Sequence, residues 1–321
     1  MGGGTTITLQ GGDPVAVQLV LAIRGGDVGA VERLLADEPR LARARITDRG
    51  GSKTPLHVAT DWPGYFPAGP QIVRLLIGAG ADPDAVTTPE PGETPLHWAA
   101  SSDDADVAAA LIDGGADIEK PDGSIGTPLD NAIGYACWHV ARLLAARGAR
   151  VDKLWHAAAL GMLARTEELL ATEHGARDEI SQAFWHACGA GQRRAAEYLL
   201  ARGADLAWVP EYAQGTALDA AGGLGTRREN VITWLRELGA PTALGQKSRP
   251  RRTMTGWRFL RVWCWPAGGP RGWERPRRHW NGTGPRCCTG RSASWRARPL
   301  GRSLSCAPAA RSCLTCRRAR R

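Results

Sequence analysis

The sequence predicts an all-α fold: a solenoid of about seven helix-turn-helix repeats, followed by a basic tail of different character. Two observations carry this prediction. A Thr-Pro-Leu motif recurs along the chain, and a Gly-Ala pair recurs at intervals of 27 to 36 residues. Recurrence at a nearly fixed period is the signature of repeat architectures, in which each unit buries its apolar face against its neighbours.

The 321 residues divide by charge into two parts. Residues 1–246 carry 21 Lys and Arg against 31 Asp and Glu, a net charge of −10. Residues 247–321 carry 20 basic residues against one acidic residue, a net charge of +19. We therefore expect a flexible N-terminus over residues 1–12, a repeat domain over residues 13–246 and a separate tail.

The sequence also indicates a compartment. It contains no run of about 18 apolar residues, so no membrane-spanning helix is expected, and its start lacks the pattern of a signal peptide. Only Cys137 and Cys188 lie in the predicted repeat domain, and two isolated cysteines are typical of a reducing compartment. We therefore predict a cytoplasmic protein.

The first predicted unit has no Thr-Pro start. Apolar residues recur at helical spacing over residues 15–24 and 28–35, and the segment Gly25-Gly26-Asp27 separates the two. This pattern predicts a helix pair that caps the N-terminal end of the solenoid.

The motif itself marks where the following units begin. It stands as KTPLHVA at 53–59, ETPLHWA at 93–99 and GTPLDNA at 126–132, and in weaker form as GTALDAA at 215–221. Thr is a favourable N-cap, and Pro at the next position has no N–H to leave unpaired. Glycine in the left-handed conformation ends a helix, which predicts the ends of the second helices at Gly80, Gly115, Gly148, Gly175, Gly203 and Gly239.

Two units lack the motif but keep its apolar pattern. The runs LWHAAALG at 154–161 and FWHACGAG at 184–191 place Trp155 and Trp185 where the motif has His57. Helical stacking is expected to continue through these units, although regular loops between them are not.

The TPLH copies, the period and the LL-x₂-GAD type of ending resemble the ankyrin-repeat family over residues 13–240. The resemblance implies that His57 and His97 form hydrogen bonds within their turns and brace neighbouring repeats. It also implies a protein partner bound on a concave face built from loops and first helices. The positions that correspond to this face include Ser101, Ser102, Tyr135 and Leu160.

An insertion in the first motif unit is the second candidate site. The distance from Thr to Gly is 26 residues there against 21 in the next two units, and the excess falls within residues 61–70. This loop carries Trp62, Tyr65 and Phe66 among three prolines. Aromatic side chains on such loops often anchor partners; alternatively, these three fold back over the first repeats.

No catalytic, cofactor or metal site is expected. His156 and His186 occupy equivalent positions in successive repeats and are predicted to be neighbours, but a zinc site takes three or four protein ligands. Cys188 follows His186 by two residues, a spacing that does not bring helical side chains together. We predict a non-enzymatic, monomeric adaptor that binds an unidentified protein, because a body of net charge −10 does not suit nucleic acid.

The tail leaves three interpretations open. Its Arg residues interleave with six Trp residues, which would suit a nucleic-acid-associated protein, the alternative function. Cys313 and Cys316 form one CxxC pair, which is half of a zinc site at most. The low aliphatic content is typical of disorder, yet the Arg, Gly, Pro, Trp and Cys mixture is also what a GC-rich gene read out of frame after about Gln246 would encode.

Overall fold

A computed structural model describes residues 6–90, 92–172, 176–223 and 228–243 of the chain. The predictions made for residues 1–5, for Gly175 and for the tail lie outside these residues.

Within the described residues, fourteen α-helices follow one another in seven pairs, which confirms the all-α repeat fold. The pairs are α1 (Pro14–Gly25) with α2 (Val28–Asp37), α3 (Pro55–Thr60) with α4 (Gly69–Gly78), α5 (Pro95–Ser102) with α6 (Ala105–Asp113), α7 (Pro128–Gly134) with α8 (Trp138–Ala146), α9 (Leu154–Leu160) with α10 (Leu163–Thr172), α11 (Arg177–Gly189) with α12 (Arg193–Leu200) and α13 (Ala217–Ala221) with α14 (Glu229–Glu237).

The pairs stack side by side. Each first helix contacts the first helix of the next pair along the whole series, and second helices contact each other from α2 to α8 and from α10 to α12. Both layers contribute buried apolar side chains; Leu96 of α5 and Leu111 of α6, for example, are both fully buried. Each unit therefore covers the apolar face of its neighbour, as a solenoid requires.

The Thr-Pro motif starts the first helices by reciprocal capping. The hydroxyls of Thr94, Thr127 and Thr216 each accept a hydrogen bond from the backbone N–H three residues later. The side chain at that later position reaches back to the threonine N–H, at 3.2 Å for His97 and 2.8 Å for Asp130. Both an imidazole and a carboxylate can accept this bond, so aspartate can replace histidine in the later copies.

The described closing glycines adopt the left-handed conformation that the sequence predicts. Their φ angles lie between 72° and 96° at Gly80, Gly115, Gly148, Gly203 and Gly239.

A small sheet at the N-terminal end was not predicted. Strand β1 (Thr8–Gln10) pairs in parallel with β2 (Arg45–Asp48), and β2 pairs antiparallel with β3 (Gly51–Lys53). The expectation of a flexible segment over residues 1–12 is therefore wrong for residues 8–10. Ile7 and Leu9 alternate along this segment and pack against the core, which holds it in place.

Two predicted boundaries also shift. Helix α4 begins at Gly69, so the inserted loop covers residues 61–68 and not 61–70. Helix α11 begins seven residues before Phe184 and takes up the segment where a regular repeat has its turn. Irregular geometry was expected in this unit because it lacks the Thr-Pro start.

Candidate protein-binding surface

A buried histidine in each of the first two motifs links one repeat to the next. The Nδ1 of His57 lies 2.8 Å from the Thr54 hydroxyl, and its Nε2 donates to the carbonyl oxygen of Glu93 at 2.8 Å. His97 donates to the carbonyl of Gly126 in the same way at 3.0 Å. The expected bracing role is confirmed, and burial lowers the pKa of His57 to about 3.

Trp185 performs the same task in a unit without histidine at this position. Its indole N–H donates to the carbonyl oxygen of Gly215 at 2.9 Å, and Gly215 precedes the next N-cap just as Gly126 does. The placement of Trp185 in the histidine position is thus supported by its hydrogen bond.

In the third motif the link is a carboxylate. Asp130 is buried, and its Oδ1 accepts hydrogen bonds from Lys153 at 2.5 Å and from His156 at 2.9 Å. Burial alone would raise the pKa of Asp130, but the hydrogen bonds from His156, Lys153 and the backbone of Thr127 outweigh it and lower the pKa. The side chain therefore ties α7 to α9 as an anion.

We expect an Asp130→Ala variant to lose at least about 2 kcal/mol of unfolding free energy, because hydrogen bonds to a buried charged group contribute about 1.5–3 kcal/mol. Chemical denaturation followed by circular dichroism measures this loss. Asp152→Ala is the matched control, because Asp152 is exposed and such changes usually stay within about 0.5 kcal/mol. Equal stability of the two variants would contradict the assignment.

His156 and His186 lie near each other, and the indole ring of Trp155 contacts both imidazoles. The ring of Trp155 is 4.3 Å from that of His156 and 4.8 Å from that of His186, measured between centroids. His186 also lies 3.0 Å from the Tyr212 hydroxyl. The described residues contain no group of three His, Cys, Asp or Glu side chains placed to hold a metal ion.

The two cysteines of the repeat domain are unreactive core residues. Cys137 and Cys188 are both buried free thiols. Burial raises the pKa of Cys137 to about 12 and raises that of Cys188 further. Because the thiolate is the nucleophile, both side chains stay inert near neutral pH.

The inserted loop presents one aromatic side chain almost entirely to solvent. Trp62 is 77% exposed, although the residue before it is held firmly. The carboxylate of Asp61 pairs with Arg24 at 2.5 Å and with Lys53 at 3.5 Å. The base of the loop is thus tied to α1 and β3, while the indole remains available.

The other two loop aromatics are engaged within the molecule. The hydroxyl of Tyr65 donates to the carbonyl oxygen of Asp103 at 2.5 Å, and its backbone N–H donates to the carboxylate of Asp104 at 2.7 Å. The guanidinium of Arg24 lies 5.8 Å from the centre of the Phe66 ring. Tyr65 is nevertheless 62% exposed, so it combines a packing role with an accessible ring face.

The predicted concave-face residues lie at, or one residue beyond, the C-terminal ends of first helices. Ser101 and Ser102 end α5, and both hydroxyls donate to backbone carbonyls of their own helix at 2.9 Å. Ser102 also lies against Gly64 of the inserted loop. These serines therefore support the surface more than they offer free polar groups to a partner.

Tyr135 follows α7 and is 39% exposed, with its hydroxyl 3.2 Å from that of Ser124. Beside it lies Ile125, 43% exposed, whose side chain packs over Gly134. The sequence analysis missed Ile125; the signal was an apolar residue in a turn of Gly, Ser and Asp. Leu160 ends α9 and is half-buried against the core, so it offers little surface.

Trp62, Tyr65, Ile125 and Tyr135 together form what we call the apolar stripe. It follows the C-terminal ends of α3, α5 and α7. Ser102 lies against Gly64 of the loop, and Asn131, which accepts a hydrogen bond from the N–H of Ile125, donates one to the hydroxyl of Ser101. A contiguous patch of exposed apolar side chains typically marks an interaction surface.

The comparison with family models agrees with this architecture over part of the chain. Residues 65–153 match the family model of ankyrin repeats in three copies. The chain is also similar to a solved structure, the ankyrin repeat domain of Bcl-3, described as a unique member of the IkappaB protein family. The two are 29% identical over 70% of this chain and 99% of that chain, with a TM-score of 0.41. No curated protein matches the chain.

The capped helix pairs and the family match define a repeat protein of the solenoid class. The repeats that this family model matches, within residues 65–153, are ankyrin repeats. Ankyrin repeats are generally protein–protein interaction modules, and their fold is typically a non-enzymatic scaffold. Over the described part of the chain, no helix is both long and apolar enough to cross a membrane.

Proposed function

We propose that this protein is a non-enzymatic adaptor that binds a protein partner through the inserted loop and the adjoining ends of its first helices. The observation that carries the proposal is Trp62: its indole is 77% exposed on a loop that ion pairs fix in place. A loop whose base is already held in place gives up less conformational freedom on binding than a free one. Tyr65, Phe66, Ser101, Ser102, Tyr135 and Leu160 are proposed to complete or support this surface.

The charge of the repeat domain also favours a protein partner over nucleic acid. The repeat domain carries a net charge of −10, which would repel a phosphate backbone. The free thiols at Cys137 and Cys188 suit a reducing compartment, so we place the protein in the cytoplasm.

Affinity capture tests the proposal. The full chain and its Trp62→Ala variant are used in parallel as baits in a cytosolic extract, with Val15→Ala as a matched control because Val15 is also exposed but lies on α1. We expect a set of proteins retained by the parent and the control and lost with Trp62→Ala. Identical capture by all three baits would contradict the site.

We also propose that the repeat domain is autonomous. Stability in a solenoid comes from contacts between neighbouring repeats, so residues 1–246 alone are expected to fold as a helical, cooperatively melting monomer. Circular dichroism and sedimentation measure both properties. A coil spectrum, or a dimer at micromolar concentration, would contradict this expectation.

A further inference from the structure

The apolar stripe lies in the most acidic part of the repeat domain. Residues 51–135, which include all four residues of the stripe, contain 13 acidic residues against three basic ones, a net charge of −10, equal to that of residues 1–246 as a whole. The concentration of charge on these repeats is independent of the aromatic side chains that define the stripe.

Acidic groups flank the stripe on two sides. At the helix ends, Asp103, Asp104 and Asp106 surround Tyr65; burial and then the charges of these three carboxylates raise the pKa of its phenol. On the side of the preceding loops, the carboxylate of Glu93 accepts a hydrogen bond at 2.8 Å from the N–H of Ser124, the residue before Ile125.

Three basic groups near the stripe are already paired with acidic ones. Arg24 and Lys53 share the carboxylate of Asp61, and His139 lies 2.7 Å from Asp103. By contrast, three acids in this region are exposed: Asp106 acts on Tyr65 through space, Asp122 precedes Ile125 by three residues, and Glu90 precedes Glu93 by three. The surface thus offers apolar contact area inside a field of negative charge.

We propose that the apolar stripe docks a cationic polypeptide segment, one that combines Arg or Lys residues with at least one large apolar side chain. The apolar residue covers Trp62, and the basic residues face Glu90, Asp106 and Asp122. Charge complementarity of this kind speeds encounter and selects among partners. This inference rests on the proposed function, since it names the chemistry of the partner at the same surface.

A random library of 12-residue peptides displayed on phage is the probe. It is selected against the immobilised full chain, and enriched peptides are synthesised and their affinities measured by fluorescence anisotropy. We expect net-positive peptides with an aromatic or aliphatic residue. Trp62→Ala should weaken their binding at least about tenfold.

Two triple variants test the role of charge. Glu90→Gln, Asp106→Asn and Asp122→Asn together remove three charges beside the stripe and should weaken binding roughly tenfold, since each exposed pair contributes about 0.2–1 kcal/mol. Asp37→Asn, Asp152→Asn and Glu211→Gln remove three exposed charges elsewhere and should change it less than about threefold.

The outcomes distinguish the chemistry of the partner from the proposed adaptor function. Neutral or acidic peptides that depend on Trp62, or equal losses in the two triple variants, would overturn the cationic partner and leave the adaptor function standing. A selection that yields no Trp62-dependent peptide would overturn both.

Discussion

A Trp62→Ala variant is expected to melt like the parent and to bind its protein partner at least about tenfold less tightly. A buried aromatic anchor at an interface typically costs about 2 kcal/mol or more on truncation, and 1.4 kcal/mol corresponds to tenfold. Melting should be unchanged because the indole is 77% exposed and buries little surface in the free protein. Thermal denaturation and isothermal titration of one purified variant measure both quantities.

Tyr65 provides the contrasting control in the same loop. Its hydroxyl donates to the Asp103 carbonyl of the next repeat, so Tyr65→Phe is expected to lower the unfolding free energy by about 1 kcal/mol. Affinity per folded molecule should change little, because the ring that a partner would contact remains. A Trp62→Ala variant that is destabilised but binds normally would identify the loop as a packing element only.

Local signals made most of the repeat architecture predictable. A Thr-Pro pair starts a helix, and a left-handed glycine ends one, through contacts with residues only a few positions away. Thr94, Gly115 and Thr127 could therefore be assigned from the sequence. Even Trp185 could be placed, because its unit keeps the apolar spacing although it lacks the motif. Local capping and period together determine where helices begin, end and stack.

The features that were missed or left open depend on residues distant in the chain. Strand β1 exists because Arg45–Asp48 offers it a pairing edge about 37 residues later. Tyr65 is held by Asp103, 38 residues away, and Ile125 becomes part of a surface only when it packs over Gly134. Whether an aromatic residue in a loop is free or engaged is therefore decided by such contacts. This is why the sequence could not show that Trp62 is exposed while Tyr65 and Phe66 make contacts within the molecule.

The free energy of unfolding is expected to fall steeply between pH 6.5 and pH 4, because the core buries neutral histidines. Burial lowers the pKa of both His57 and His186 to about 3, against about 6.5 in an unfolded chain. The folded-state pKa is the lower one, so the stabilisation is fully present above pH 6.5. It is lost as the pH falls, since the unfolded chain then binds protons that the folded chain cannot.

The expected effect is large. Each pH unit below 6.5 costs about 1.4 kcal/mol per buried histidine, so at pH 5 the two residues together cost about 4 kcal/mol. Typical domains have only 5–15 kcal/mol in total. His97, whose pKa burial also lowers, acts in the same direction. Urea unfolding at pH 7.5, 6 and 5, followed by circular dichroism, measures the trend.

A substitution assigns the effect to one residue. His57→Gln removes a titrating group but keeps a side chain that can complete the capping of Thr54, because glutamine is a natural residue at this position of a capping box. The variant should be less stable than the parent at pH 7.5, since the bond to the Glu93 carbonyl is weakened. It should also lose about 2 kcal/mol less than the parent between pH 6.5 and pH 5. Parallel pH profiles for the two proteins would show that His57 does not carry the acid sensitivity, and a flat profile in both would refute the argument from buried histidines altogether.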